Sequence, residues 1–514
     1  MISSGYSQKK RADFYFIAIV LLISVFIAAF SILNIAKFRI FSVTSFGWVL
    51  PFMYKKLAAW HNPFSLFVLP EYNLILFLAP INYLIAFIYN IFAFPETLLV
   101  FQTLIMASGA IPLYLLALRR LRSKYLAFAF SLAYLLHPVI STGAILGYIP
   151  LSLGLPFLLW AFYYLEKNNL YNFVLFIVLA NSTKIDVVLM NAIFGLLLFF
   201  SEDKKEYGKT IFKICIIWLT IAVIFCFFYL KSINRFFPIS ILHFDKYGDR
   251  LGDVFIYAGH NPASIVNNLF NQKNMLLSIL VFLPNSFSFF APYFLLPVFP
   301  EIIYILIRNQ HSSGHFPALA FVFLASIYGM DNFIRLCAVG FKRKKLKIYL
   351  LRLISSLIIG FAICRYYYLP QKTDFGERLG PLPFTNQFAP DFYKFSQHAA
   401  IGGAIMKIIP AGSSCLTLQS IGFHLGKCEN VGIFNKYFIA SRVDWEYILV
   451  DLFKEDFYQI SKKDYFSKLK SFILDEGYGV MRFEDGWLLL KKGYQGQDKR
   501  SVCDIIDNLL NEEK

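Results

Sequence analysis

The sequence predicts an all-α polytopic membrane core, about 11 transmembrane helices plus outer interfacial helices, followed by a small soluble α/β domain. Three observations carry this. Of 514 residues, 58% are hydrophobic, 58 are Phe and only 16% are charged, a balance that would leave a water-soluble protein apolar on every face; the mean hydropathy is +0.57. The 49 Lys and Arg, against 32 Asp and Glu, fall in short clusters between apolar runs. That pattern orients a chain in a bilayer and does not point to a nucleic-acid partner. From residue 367 onward, short apolar strands and polar helices replace the long runs.

The first element is "QKKRADFYFIAIVLLISVFIAAFSILNIAKF", a basic flank and a long apolar run without a small-residue cleavage site. It reads as a retained signal anchor with its N-terminus in the cytoplasm. Charged clusters then punctuate the chain: "RRLRSK" (119–124), "EKNN" (166–169), "SEDKKEYGK" (201–209) and "FKRKKLK" (341–347). If all are cytoplasmic, an even number of crossings separates neighbouring clusters. Of the two apolar runs 73–93 and 97–118, only one then spans. The first holds Asn73, Pro80, Asn82 and Asn90, so it is expected to be an interfacial or re-entrant helix on the outer face. The alternative is an ordinary spanning helix with inverted topology downstream.

Further crossings are expected near 125–142, 147–165, 170–183, 186–200, 211–230, 274–290, 292–308, 316–338 and 348–366. This count gives a membrane core over 1–366 and an extracytoplasmic α/β domain over 367–514, in a multi-pass protein of the plasma membrane. The legs of 170–200 have about 15 residues each, short of the roughly 20 that a spanning helix needs. The hairpin tip "NSTKIDVV" should therefore stop below the outer surface, where Lys184 and Asp186 need each other or a ligand.

In the last domain, "SSCLTLQS", "ENVGIF" and "YILVDL" read as strands and "SKKDYFSKLKSFILDEG" as a helix. "VMRFEDGWLLL" reads as a hairpin on Asp485-Gly486, a favoured tight-turn pair. Seven Cys without CxxC or His/Cys spacing give no metal or redox motif. Cys415 and Cys428 would form a disulfide in an oxidising compartment or stand as two thiols.

Several segments, in this order, resemble a known family: "TLLVFQTLIMASGAIPLYLLALRRL", "YLAFAFSLAYLLHPVI", "LPFLLWAFYYLEKNN", "STKID", "YILVDL" and "GYGVMRFEDGWLLLKKG". The chain resembles an uncharacterised family of multi-pass predicted membrane proteins (domain of unknown function 2079). That family is similar to the C-type superfamily of membrane glycosyltransferases, which use polyprenyl-phosphate sugars. The resemblance implies an active cavity on the outer face and three polar constellations. The first keeps an Asp before Leu-Gly; here "TSFGW" places Ser45 there. The second, Asp-Phe-His-Pro-Glu, reads "GYIPL" and keeps Pro150 and an aromatic, Tyr148. The third, Lys-Glu-Asp, reads "KID" and keeps Lys184 and Asp186 around Ile185.

Transfer from a phosphate-linked donor needs a carboxylate to deprotonate the acceptor and cations to hold the leaving phosphate. Asp186 and Glu71 are the candidate catalytic acids, with Asp245, Asp249 and Asp253 read as a plain polar loop. Lys184, Tyr148, Arg308, His311, His315 and Arg365 are the candidate substrate-binding residues, and His137 reads as a packed helix-end residue. No resident cofactor or metal ligand set is expected; a divalent cation is left open. The expected partners are membrane lipid, a polyprenyl-phosphate sugar donor and a glycan, lipid or protein acceptor. Three function classes remain: a glycosyltransferase-like enzyme, a non-catalytic relative that binds lipid-linked glycans or scaffolds a membrane complex, and a transporter. No internal repeat supports the third.

Overall fold

The structure is a computed structural model. It describes residues 13–43, 78–92, 94–232, 282–301, 316–338, 344–368, 382–385, 388–434, 445–454, 460–496 and 499–511, with isolated residues between 256 and 267. The membrane part is helical. Helix α1 (Phe14–Arg39) has no charge between its N-cap and its last turn: the Asp13 carboxylate accepts from the Tyr15 N–H at 3.2 Å, and Lys37 and Arg39 close the other end. Both ends suit the helix dipole. Its 26 residues reach about 39 Å, enough to cross a bilayer.

After α1 come α2 (Ile81–Ile91), α3 (Pro95–Ser108), α4 (Ala110–Leu121), α5 (Lys124–Leu135), α6 (Pro138–Ile145), α7 (Gly154–Glu166), α8 (Leu170–Asn181), α9 (Ile185–Phe199), α10 (Lys205–Ser232), α11 (Phe316–Ala338) and α12 (Lys344–Tyr368). Among the described residues, five helices are long and apolar enough to cross a membrane: Phe14–Arg39, Pro95–Leu121, Glu202–Phe228, Pro317–Cys337 and Ile348–Tyr367. A sixth forms if α5 and α6, bent by 47° ahead of Pro138, count as one broken span. The expected eleven full crossings therefore reduce to five or six among these residues. Helices α8 and α9, at 12 and 15 residues, are the short legs that the sequence implied. The expected crossings 274–290 and 292–308 are described in part, and that part holds 3₁₀ turns, Ser286–Phe290 and Pro292–Val298. Pro292 and Pro297 deny this stretch regular α-helical hydrogen bonding.

The charged clusters meet at one end of the bundle. Arg119 donates to the Glu166 carbonyl at 3.0 Å, and Lys204 donates to the Leu165 carbonyl at 2.9 Å. Arg120 lies 3.4 Å from Glu166 and 2.9 Å from Asp331, which also pairs with Arg335 at 2.9 Å; the Tyr328 hydroxyl donates to Glu166 at 2.6 Å. Arg352, near the start of α12, donates to the Tyr125 hydroxyl at 2.9 Å, and the Tyr125 ring packs on Tyr15. The starts of α1, α5 and α12 and the ends of α4, α7 and α11 thus share this basic end.

The C-terminal unit contains α13 (Gln397–Ile408), β1 (Ser414–Thr417), β2 (Asn430–Ile433), β3 (Tyr447–Asp451), α14 (Lys462–Leu474), β4 (Tyr478–Glu484), β5 (Trp487–Lys492) and α15 (Lys499–Asn511). Its sheet runs β2-β1-β3-β5-β4, parallel at β2-β1-β3 and antiparallel beyond. The predicted hairpin is present: Glu484 pairs with Trp487, and Asp485 and Gly486 both take positive φ, 49° and 80°. A Cβ at Gly486 would also stand 2.5 Å from the Phe453 ring. The unit sits on the far end of α1. The Phe38 ring stacks on His424 at 3.9 Å, Phe41 meets Trp487 at 5.0 Å, and the Lys454 ammonium donates to the carbonyls of Ile40 and Phe41. Phe38, Phe41, Ile85, Tyr148, Leu418, Leu452 and Trp487 belong to one continuous buried cluster.

Candidate functional site

The polar residues that interrupt apolar runs gather at the end away from the basic clusters. The tip between α8 and α9 is tied from several sides. Asn191 donates to Asn181 at 2.7 Å, the Thr183 hydroxyl donates to the Ala180 carbonyl at 2.7 Å, and the Ile81 N–H of α2 donates to the Ser182 carbonyl at 2.9 Å. Gly154, at the start of α7, leaves room for this packing: a Cβ there would stand 2.8 Å from Thr183 Oγ1. With Asn181, Ser182 and Thr183 buried, the chain turns outward. Lys184 takes an extended conformation as N-cap of α9, and Asp186 enters its first turn, where the helix dipole favours an anion. Their side chains form an ion pair and are 40% and 34% exposed. A cation and a carboxylate are therefore presented together, half in solvent, on a buried polar base.

Beside this tip, Gln102 in α3 organises the end of α6 and the loop before α7. Its amide donates to the carbonyls of Gly143 at 2.5 Å and Gly147 at 2.8 Å, and its oxygen accepts from the Ile149 N–H at 2.5 Å. This fixes Tyr148, whose ring is fully buried in the cluster that α2 and the C-terminal unit share. Asn34 of α1 donates to the Ala144 carbonyl, at the end of α6, at 2.7 Å. Sequence reasoning missed Gln102 and Asn34, although an amide inside an otherwise apolar run was the available signal.

The expected site residues separate into three groups. Lys184 and Asp186 come together. Tyr148 packs inside, and Arg365, expected near the outer interface, is buried on α12 and donates to the Ala133 carbonyl at 3.0 Å. His137, read as a packed helix-end residue, is buried, with its Nδ1 accepting from the Val139 N–H at 3.2 Å. Glu71, Ser45, Arg308, His311, His315, Asp245, Asp249 and Asp253 lie outside the described residues. Cys415 and Cys428 are buried in the core of the C-terminal unit and are not joined by a disulfide. Burial, with Cys428 nearby, holds the Cys415 thiol well above its ordinary value. Among the described residues no group of three His, Cys, Asp or Glu side chains is placed to hold a metal.

A second polar constellation was not read from the sequence. His398, in the first turn of α13, places Nε2 2.9 Å from Asp451 on β3 and Nδ1 2.9 Å from Asp485 in the hairpin turn. Asp451 is fully buried, and its other oxygen accepts from the Phe453 N–H at 3.0 Å. Partial burial lowers the imidazole pKa, but the two carboxylates outweigh it and raise it above its ordinary value. The His398 ring also lies over Trp487, whose indole donates to the His398 carbonyl at 3.0 Å. Asp451 and Asp485 both fall in segments that carry the family resemblance. The third member, His398, is 53 and 87 residues away from them. Nearby, burial holds the His424 pKa down to about 3, with Lys454 adding to the effect.

Residues 74–489 match a family model described as "Predicted membrane protein (DUF2079)". No curated protein matches the chain significantly.

Proposed function

The chain belongs to the DUF2079 family of predicted membrane proteins, and from that premise we propose that it handles a polyprenyl-phosphate-linked sugar as a membrane glycosyltransferase-like protein. The observation that carries this reading is the Lys184–Asp186 pair, half exposed at a helix N-terminus on the end away from the basic clusters. In this reading Asp186 accepts the proton of the acceptor hydroxyl. Lys184 moves from Asp186 to the leaving phosphate, so that donor binding frees the base. The positive-inside pattern puts the basic end in the cytoplasm and this pair, with the C-terminal unit, on the outer side. A divalent cation could share the phosphate charge, and the acceptor is a glycan, lipid or protein.

One observation favours a second reading, a non-catalytic relative that binds lipid-linked glycans or scaffolds a complex. Asp186 is already engaged by Lys184, and the positions where the resemblance implies further acids hold Ser45, Gly147, Leu151 and Ile185. Membranes carrying the wild-type chain, Lys184→Ala or Asp186→Asn are incubated with a panel of polyprenyl-phosphate sugars, scoring transfer and donor retention. Transfer by wild type, lost in Asp186→Asn, supports the enzyme. Retention weakened by Lys184→Ala, without transfer by any variant, supports the binding protein. Neither transfer nor retention across the panel refutes both.

A further inference from the structure

A row of aromatic side chains stands open to the surroundings where the last membrane helix hands over to the C-terminal unit. Phe384 is 78% exposed and Phe395 61%; Phe388 and Phe392 are exposed to a lesser degree, and Phe453, 59% exposed, lies against His398 three residues on from Phe395. Five exposed phenylalanines on these adjoining segments call for an apolar partner.

Three features identify what covers them. The segment is held at the end of a membrane helix, because the Tyr366 hydroxyl of α12 donates to the Pro383 carbonyl at 3.1 Å. Helix α12 is long and apolar enough to cross a membrane, and Leu357, Phe361, Ile363 and Tyr367, exposed around it, lead toward the same point, so the patch continues the apolar surface of a candidate membrane span. The 3₁₀ turn at Pro390–Tyr393 is two-sided: Phe388 and Phe392 pack against Tyr393, while Asp391 and Lys394 form a solvent-exposed ion pair. Rings with a charged pair beside them suit the boundary between acyl chains and headgroups, where aromatic residues concentrate.

We infer that Phe384, Phe388, Phe392, Phe395 and Phe453 form a lipid-inserting collar that seats the base of the C-terminal unit in the membrane interface. The partner is the bilayer itself, on the side away from the basic clusters. The collar would hold the His398 constellation and the Phe41–Trp487 contact at a fixed height above the acyl chains. It would also limit tilting of the unit about its attachment to α1. This inference does not depend on which sugar-handling reading holds.

The test is photo-crosslinking of the full chain in phosphatidylcholine and phosphatidylglycerol vesicles. A p-benzoylphenylalanine replaces Phe384, Phe392 or Phe395 in turn, with Leu357 on α12 as the lipid-facing reference and Leu474, exposed at the end of α14, as the aqueous one. The collar predicts a mass gain of one phospholipid at the three Phe positions, comparable with Leu357 and absent at Leu474. Lipid adducts at Leu357 but at none of the three Phe positions would overturn it. So would crosslinks from these positions to a second copy of the chain, which would make the patch a protein interface. Because the three positions are exposed and independent, misfolding of one variant leaves two to decide.

Discussion

Replacing His398 with Gln removes the imidazole that bridges Asp451 and Asp485 while keeping a side chain of similar length. The two lost contacts are unequal. The bond to Asp451 is to a fully buried carboxylate, and a charge-assisted bond of that kind contributes about 1.5–3 kcal/mol. The bond to Asp485 reaches a carboxylate that is 44% exposed, so it adds about 0–1 kcal/mol after screening. The expected loss is about 2–3 kcal/mol, and it should be confined to the C-terminal unit. Hydrogen exchange of the full chain in detergent would show it as roughly 30- to 150-fold faster exchange of β3 and β5 amides. The pH dependence is the sharper test. The folded pKa of His398 lies above its ordinary value of about 6.5. Its stabilisation is therefore fully present below pH 6.5 and is lost as pH rises through the folded pKa. Wild type should lose protection over that window and His398→Gln should not. Equal pH slopes, or unchanged protection in the variant, would refute the assignment of His398 as a protonated bridge.

Three further outcomes follow from the packing. Gln102→Leu strands the Gly143 and Gly147 carbonyls and should cost about 2–4 kcal/mol, read as a lower melting temperature in detergent and faster proteolysis of the 143–149 segment. Arg120→Met leaves Asp331 with Arg335 alone and Glu166 with Tyr328. It should destabilise by about 3 kcal/mol, a loss that Asp331→Asn in the same chain partly restores in a double-mutant cycle. Lys454→Met removes the donor to the Ile40 and Phe41 carbonyls; protection should fall at residues 38–41 and 445–454 together, whereas loss at only one of the two would argue against a shared interface.

The hydrophobic patterning made the membrane class, the shared end of the basic clusters, the short α8–α9 legs and the Asp485-Gly486 hairpin legible, because each depends on neighbours in the chain. The polar interior was less so. Lys184 and Asp186 were found because two charges stand out in an apolar run. Gln102 and Asn34, which do comparable work, look like ordinary substitutions in a span until their carbonyl partners are known. Arg365 near the end of an apolar helix suggested an interfacial cation, but sequence cannot say which way a side chain at a given turn points, and this one points inward to Ala133. His398 sits in a polar stretch with no periodic signal; its role exists only because β3 and the hairpin bring two distant carboxylates to it. The pair of prolines at 292 and 297 should have weakened the expectation of a helix there.

The grip of Lys454 and Trp487 on Phe41 joins positions more than 400 residues apart. During synthesis, α1 enters the membrane long before the strands that cover its far end exist. Phe38 and Phe41 wait uncovered while the more than 400 residues between them and these partners are made. A chain halted before β3 would carry a membrane bundle of almost complete composition with an aromatic end left bare. Cellular quality control would have a ready signal for telling finished molecules from unfinished ones.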